Sequence, residues 1–502
     1  MPDAQSSRFT KPAFAIWCIA LAIVLITRII APSDLGQNLD QSKTIAFTID
    51  MVNNNQSVLP RDGLGELTRK PPMVNWIGAP IVALGFHSEL ALKLPAVLSG
   101  VTIAILVFFA SRFLYRKLNT DIADPADKSI ATHATPLALI ASAAWLASPS
   151  AVKHIYFMRP DILFTALLVC AWFAAVTLLS PDQSKRPKRL ALSIWILTVA
   201  AILTKGPLAL IVPLYLILHI LIITPKSDRK QAIASTHWQW GIPLMLIIPG
   251  AWLYAAYRVN PDHVRNALLG QELGSRIARG GPWGILDTLI HIPAYFFERF
   301  LPWCIPAVLA IVFKPSSRIR SHPIAPASLW VLLVLIATTL ASMNSGSYIM
   351  PAYPPAAILA VYALYRIIAS KNATRTTAAF SVITFFVLFF AILITTREAT
   401  MSRAARTNTG EYIKAFADSA SKLVGNDDVH FIELGDLPVP SLMGRHQSED
   451  LTQFKYIRWS IQPTSLEPNR RPTLISDPIV THDPDTGEPI EATMQIGLYS
   501  FD

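Results

Sequence analysis

Seven ionisable residues stand at or near the edges of apolar runs, where a charge is costly unless it is paired or functional. Asp40 follows the first run, and Lys70 precedes two prolines, Pro71 and Pro72. Arg159-Pro160-Asp161 opens another run, and Lys205 separates two runs with no polar spacer before Gly206-Pro207. Glu272 and Arg276 share a long polar loop, four residues apart. Tyr348 joins them from a Ser/Gly-rich connector that runs to Pro351 and Pro354. A carboxylate at such an edge can take a proton from a hydroxyl or hold a sugar. Lysine and the planar arginine fork suit phosphate, and a cation there stabilises negative charge growing on a leaving group.

Each residue could also serve a plainer purpose. Asp161 can be a first-turn carboxylate set against a helix dipole. Lys70 can anchor a membrane interface, Lys205 can mark a tight turn, and Glu272 with Arg276 can form a weak i,i+4 pair. What favours chemistry is their shared location, which depends on the elements around them.

Of 502 residues, 52% are hydrophobic and 15% charged, and the mean hydropathy is +0.41. Soluble domains carry about a quarter charged residues and lack repeated apolar runs of about 20 residues, the length that crosses a bilayer. The chain therefore reads as a polytopic α-helical membrane protein. Residues 12–31 are too long for a signal-peptide core and lack a small-residue cleavage site, so a retained first helix with a cytoplasmic N-terminus is expected. Further spans are expected near 89–111, 134–150, 161–180, 190–204, 206–224, 238–257, 294–313, 324–342, 348–367 and 376–396.

Threading these eleven spans puts the basic clusters of five loops on one side: Arg112/Arg116/Lys117, Lys185–Arg189, Lys226–Lys230, Lys314–Arg320 and Arg366–Arg375. That is the positive-inside pattern. It accounts for the net charge of +10 without a nucleic-acid partner. All the candidate site residues then fall on the opposite, extracytoplasmic side. Apolar pieces at 73–86 and 283–292 are short enough to lie on or partly in the membrane, and they raise the count to about thirteen if they cross. Between Lys43 and Val52, the residues Ile45, Ile49 and Val52 share one helical face, which suits a helix lying on the membrane surface.

Residues 1–397 thus form a membrane domain with an external loop at 32–88. Residues 398–502 turn polar, with short alternating runs such as Val429–Glu433, and are expected to form a small extracytoplasmic α/β domain. The three cysteines (Cys18, Cys170, Cys304) lie inside apolar runs and show no metal-ligand spacing. His430 and His446 likewise lack spaced partners for a metal.

In order along the chain come Asp40, Lys70-Pro-Pro, Arg159-Pro-Asp161, Lys205-Gly-Pro, Glu272-Leu-Gly-Ser-Arg276, Gly281-Pro-Trp283, Leu301-Pro-Trp303 and Tyr348-x-x-Pro-x-x-Pro354. Over residues 12–367 this set resembles the glycosyltransferase-C superfamily, in the branch of aminoarabinose (lipid A) transferases and protein O-mannosyltransferases. The resemblance implies inverting transfer of a sugar from a polyprenyl-phosphate donor to a glycolipid, protein or polymer acceptor at the bacterial inner membrane. It implies that Asp40 is catalytic, with Asp161 lining the sugar and acceptor cavity. Lys70 and Arg276, with Lys205 adding to the field, would hold the carrier phosphate, and Arg159, Glu272 and Tyr348 would line the substrate cavity.

No cofactor follows from the resemblance, and a divalent metal is left open. Gln41 and Arg69 stand where relatives often have glutamate, and Asn344 where they often have lysine. Two lost carboxylates favour a neutral sugar over an amino sugar. A lipid-linked sugar transporter or flippase is the competing class, but internal repeats and midplane charges, its usual marks, are absent from the sequence. A non-catalytic membrane scaffold is a third reading; it would be indifferent to loss of the Asp40 carboxylate.

Overall fold

The computed structural model describes residues 3–30, 39–62, 65–86, 88–118, 125–155, 158–180, 188–274, 282–312, 322–343, 345–368, 373–401 and 409–425, together with five strands between 429 and 500. Asp40 and Glu272 are described as helical backbone only, whereas Arg276 and Asn344 lie outside the described residues.

Among the described residues, the first half of the chain folds as nine helices: α1 (Asp3–Ile30), α2 (Leu39–Asn53), α3 (Met73–Ala83), α4 (Ser88–Arg116), α5 (Pro125–Thr132), α6 (Ala134–Leu146), α7 (Pro149–His154), α8 (Pro160–Leu178) and α9 (Lys188–Lys205). A helical segment over Pro207–Ile223 follows, then Trp238–Val259, Pro282–Phe300, Cys304–Val312, Ala325–Leu340, Tyr353–Ile368 and Ala373–Met401. Each expected apolar run is helical over most of its length. Among the described residues, five helices are individually long and apolar enough to cross a membrane. The pair α5–α6, bent by 82°, would make a sixth. Side chains such as Trp240, Leu246, Ile290 and Phe385 stay exposed on the outside of the bundle. The chain is a multi-pass membrane protein.

Inside the bundle α8 packs on α9 and α4, and α6 packs on α4 and α1. Trp145, Trp172, Trp195, Trp303 and Trp330 are fully buried there. Three of their indoles find backbone acceptors, Trp330 on the Pro351 carbonyl (2.9 Å), Trp195 on that of Thr236 (2.7 Å) and Trp172 on that of Pro326 (3.4 Å). Gly241 lets its helix close on Trp195, because a Cβ there would overlap the indole ring.

The helix ends sort into two groups. At one end the start of α8 meets the end of α9 through Asp161 and Lys205, and Gln41 of α2 reaches Met158. At the other end Arg112 reaches Thr135, Lys117 reaches Ser180, and Asp127 meets Arg366 (2.9 Å) and His322 (3.5 Å). These contacts gather the described helix ends next to four of the five basic loops, all but Lys226–Lys230, away from the candidate site.

Two expectations need correction. The Ile45/Ile49 face of α2 does not lie on a membrane surface: it packs against Val74, Leu92 and Met158. Asn75 fixes that contact by donating to the Thr44 carbonyl and the Thr48 hydroxyl, both at 2.9 Å. Residues 283–292 are not a separate interfacial piece but the first half of one helix, Pro282–Phe300. The break comes later, at Leu301-Pro302, because proline interrupts the helical hydrogen-bond ladder.

Beyond the bundle a helix runs over Thr409–Val424, followed by strands β1 (Val429–Ile432), β2 (Lys455–Ser460), β3 (Leu474–Ile475), β4 (Ile479–His482) and β5 (Pro489–Ser500). Strand β1 pairs parallel with β2, whereas β2, β3 and β4 pair antiparallel with β5. Lys414 on this helix reaches Glu89 at the start of α4 (3.3 Å), which places the helix at the Asp161 end of the bundle.

Candidate active site

Asp161 anchors the site. Arg159 precedes Pro160 and adopts an extended backbone, as a residue before proline prefers, so α8 starts abruptly with proline in its first turn. Asp161 therefore projects from the first helical turn at the bundle end, 2% exposed. Across from it α9 stops at Lys205 because Gly206 turns the chain with φ +86°, a left-handed value that only glycine takes at little cost. Pro207 then starts a new helical turn. This corner holds the Lys205 ammonium, itself nearly buried, in an ion pair with Asp161.

Arg159 flanks the second carboxylate oxygen at 3.3 Å. Tyr348 lies over the Lys205 ammonium, 4.1 Å from ring centroid to nitrogen, and Phe164 lies 5.9 Å away on another side. Four sequence candidates, Arg159, Asp161, Lys205 and Tyr348, thus meet at one point. A carboxylate shared by two cations is a poor proton acceptor and a good fixed charge, so it suits positioning better than proton transfer. Lys205 is turned toward Asp161 and Tyr348.

Lys70 lies on the neighbouring wall. A cavity of about 270 Å³ is lined by Lys43, Asp62, Glu66, Arg69, Lys70 and Pro160, among others, and Pro160 joins it to the Asp161 corner. Lys43 is bound by Asp62 (3.5 Å) and Glu66 (3.3 Å). The Lys70 corner is shaped locally: the Thr68 hydroxyl accepts from the Lys70 N–H and donates to its carbonyl. Asp50 ties the preceding loop to α2 by accepting from the Arg61 N–H (2.6 Å) and from Asn54 (2.8 Å).

His263 Nε2 donates to the Thr68 carbonyl at 2.9 Å. Leu59 packs with Ala256, Val264 and Leu268. The segment leading to Glu272 is therefore docked on the Lys70 loop. The Glu272 side chain and all of Arg276 fall outside what is described, as does the Asp40 side chain. The backbone of Asp40 is fixed by its neighbour: Gln41 is fully buried and accepts from the Met158 N–H at 3.0 Å, three residues before Asp161.

Three site residues escaped the sequence reading. Gln41 looked like a substitution rather than a strut. Arg299 packs so closely on Gly346 that an added Cβ would overlap its guanidinium stem, and it therefore supports the connector carrying Tyr348. His154, buried beside Asp161, has its imidazole pushed down to about 4, by burial first and against the pull of the Asp161 charge. It is neutral at pH 7 and adds no cation. Among the described residues no group of three or more His, Cys, Asp or Glu side chains could hold a metal ion.

No protein-family model matches the sequence. An undecaprenyl phosphate-α-4-amino-4-deoxy-L-arabinose arabinosyl transferase of Shewanella sediminis is 23% identical over 326 residues, 64% of this chain and 54% of that protein. An uncharacterized protein of Aquifex aeolicus is 24% identical over 305 residues, 58% of this chain and 52% of the other. The chain spans about half the length of these sequence relatives.

Likeness to solved structures extends further. ArnT from Cupriavidus metallidurans, bound to undecaprenyl phosphate, superposes with TM-score 0.67 at 16% identity over 99% of this chain and 98% of that one. The Archaeoglobus fulgidus oligosaccharyltransferase in its apo form gives 0.55 at 13% identity over 87% and 64%. By its architecture, this chain has the fold shared by the Cupriavidus metallidurans ArnT and the Archaeoglobus fulgidus oligosaccharyltransferase.

Proposed function

We propose that this chain is a bacterial inner-membrane glycosyltransferase that moves a sugar, with inversion, from a polyprenyl-phosphate donor to an extracytoplasmic glycolipid, protein or polymer acceptor. The observation that carries this reading is the adjacency of a cation-lined cavity holding Lys70 to the Asp161–Lys205–Tyr348 corner. The carrier phosphate sits against Lys70, with Arg276 as a second cation to hold it. The sugar points toward Asp161, Arg159 and Tyr348.

Asp40 then takes the proton of the acceptor hydroxyl. The acceptor oxygen bonds to the anomeric carbon from the face opposite the carrier. The anomeric C–O bond to phosphate breaks, and its electron pair leaves on the lipid phosphate. Cations beside that oxygen lower the barrier because charge grows there only as the bond breaks. Gln41 and Arg69 stand where relatives often have glutamate, and the carboxylates that do line the cavity, Asp62 and Glu66, are paired with Lys43, which favours a neutral sugar.

In this reading the N-terminus is cytoplasmic, eleven or more helices cross the bilayer, and residues 398–502 form an extracytoplasmic α/β domain. Asp40→Asn tests the chemistry. Transfer from a polyprenyl-phosphate sugar should fall by about 10²–10⁴-fold, the usual worth of a general base, with carrier binding intact. Unchanged transfer by a folded variant would remove Asp40 from the mechanism. A wild-type protein that moves lipid-linked sugar across vesicles without forming any glycosylated product would favour the flippase.

A further inference from the structure

A second cavity, of about 380 Å³, lies between α4 and α8 and is lined by Phe109, Arg112, Phe113, Arg116, Lys117 and Phe173. It belongs to the other end of the molecule. At 1.5 Å per helical residue, Arg112 is about 35 Å along α4 from Glu89, and Phe173 is about 18 Å along α8 from Asp161. Its chemistry is unlike the candidate active site, because no carboxylate lines it among the described residues.

Arg112 and Arg116 are an i,i+4 pair of like charge, an arrangement that costs stability unless an anion joins it. Arg112 Nε donates to the Thr135 hydroxyl (3.2 Å), and Lys117 donates to the Ser180 hydroxyl. The Thr135 hydroxyl is neutral, so it aims the Arg112 guanidinium without cancelling its charge. The remaining walls are phenyl rings: Phe113 meets Phe173 edge-on at 6.1 Å, Lys117 lies 4.6 Å over Phe113, and Phe109 is 47% exposed toward the outside of the bundle.

We propose that this cavity is a binding site for one anionic phospholipid. Arg112 and Arg116 hold its phosphate, and an acyl chain runs over Phe109 and Phe113. Cations set beside aromatic rings, one of which (Phe109) faces outward, match a headgroup next to its chain, which a soluble phosphate ester would not use. Basic pockets between membrane helices are the usual way such headgroups are held. The site is independent of the transfer chemistry and would stand if that reading failed.

The test uses the purified full chain and native mass spectrometry after loading with phosphatidylglycerol or with phosphatidylcholine of the same acyl chains. Phosphatidylglycerol should be retained at least about tenfold better, given the worth of two arginines at a membrane surface. The double variant R112Q/R116Q, monodisperse and thermally intact, should lose that preference. Glycerol 3-phosphate at matched concentration should not displace the lipid. Equal retention of the two lipids by the unmodified protein overturns the proposal without recourse to any variant. Full retention by the folded double variant overturns it too, and complete displacement by glycerol 3-phosphate would assign the site to a soluble ester.

Discussion

The pair formed by Asp161 and Lys205 is the most consequential interaction at residue scale, because both side chains are almost out of water, 2% and 8% exposed. Removing one partner of a buried pair leaves an uncompensated charge and costs about 3–5 kcal/mol, whereas removing both is far cheaper. Lys205→Met should therefore lower the melting temperature in detergent strongly, and Lys205→Met with Asp161→Asn should recover much of it. A double variant as unstable as the sum of the singles would show that the two charges do not support each other. Gln41 allows a finer test. Glutamate keeps the acceptor that Met158 uses and adds a carboxylate beside the sugar end. Gln41→Glu should shift the ratio of amino-sugar to neutral-sugar transfer upward by about tenfold, the worth of one charged contact near 1.4 kcal/mol. An unmoved ratio, measured with both donors, would remove Gln41 from donor choice. Asp161, Lys205 and Tyr348 were legible in the sequence because a charge or a Pro/Gly corner at an apolar edge is costly without a partner or a task. Gln41, Arg299 and Gly346 were not, since their roles rest on contacts across more than 40 residues that no local pattern encodes.

Elements position these residues through their ends, so the corners matter more than the helix bodies. Lys205-Gly206-Pro207 and Arg159-Pro160 could be read directly, because glycine and proline restrict the backbone in known ways. Which way an amphipathic face points could not: α2 has an apolar stripe that fits lipid or protein equally well, and only the folded α3 and α4 decide in favour of protein. The connector before Tyr353 gives a test at this scale. Gly346 leaves room for Arg299, and a methyl group there would have to push the guanidinium stem aside. That shift moves the connector carrying Tyr348, the ring over Lys205. Gly346→Ala should lower kcat/KM for the lipid-linked donor by about tenfold or more, since a misplacement of an ångström at a site can cost 10²-fold. The melting temperature should change little, as an arginine side chain can relocate. Unaltered kinetics would mean that the connector does not set the site.

For the whole molecule, the decisive property is that one end of the bundle is acidic and basic by turns and the other carries basic side chains over aromatic rings. The alternation of loops was legible because sidedness depends on charge summed over many residues, which survives errors in any one helix boundary. The strand pairing after residue 425 was not, because short alternating runs carry no record of which run each will join. Lys414 on Glu89 fastens the helix Thr409–Val424 to the end where Asp161 lies. The proposed topology therefore requires that helix, the 54–62 loop and the turn after Asn260 to share one side of the bilayer, and Lys226–Lys230 to share the other. Single cysteines placed at Asn55, at Lys422 and at Lys226 check this in a background where Cys18, Cys170 and Cys304 are replaced by alanine. In spheroplasts, a membrane-impermeant maleimide should label the first two at once and the third only after the membrane is opened. Labelling of Lys226→Cys in sealed spheroplasts would invert the orientation, taking the cation-lined cavity at Lys70 away from any extracytoplasmic acceptor. Labelling of Asn55→Cys without Lys422→Cys would separate the C-terminal helix from the active face and break the contact that Glu89 makes with it.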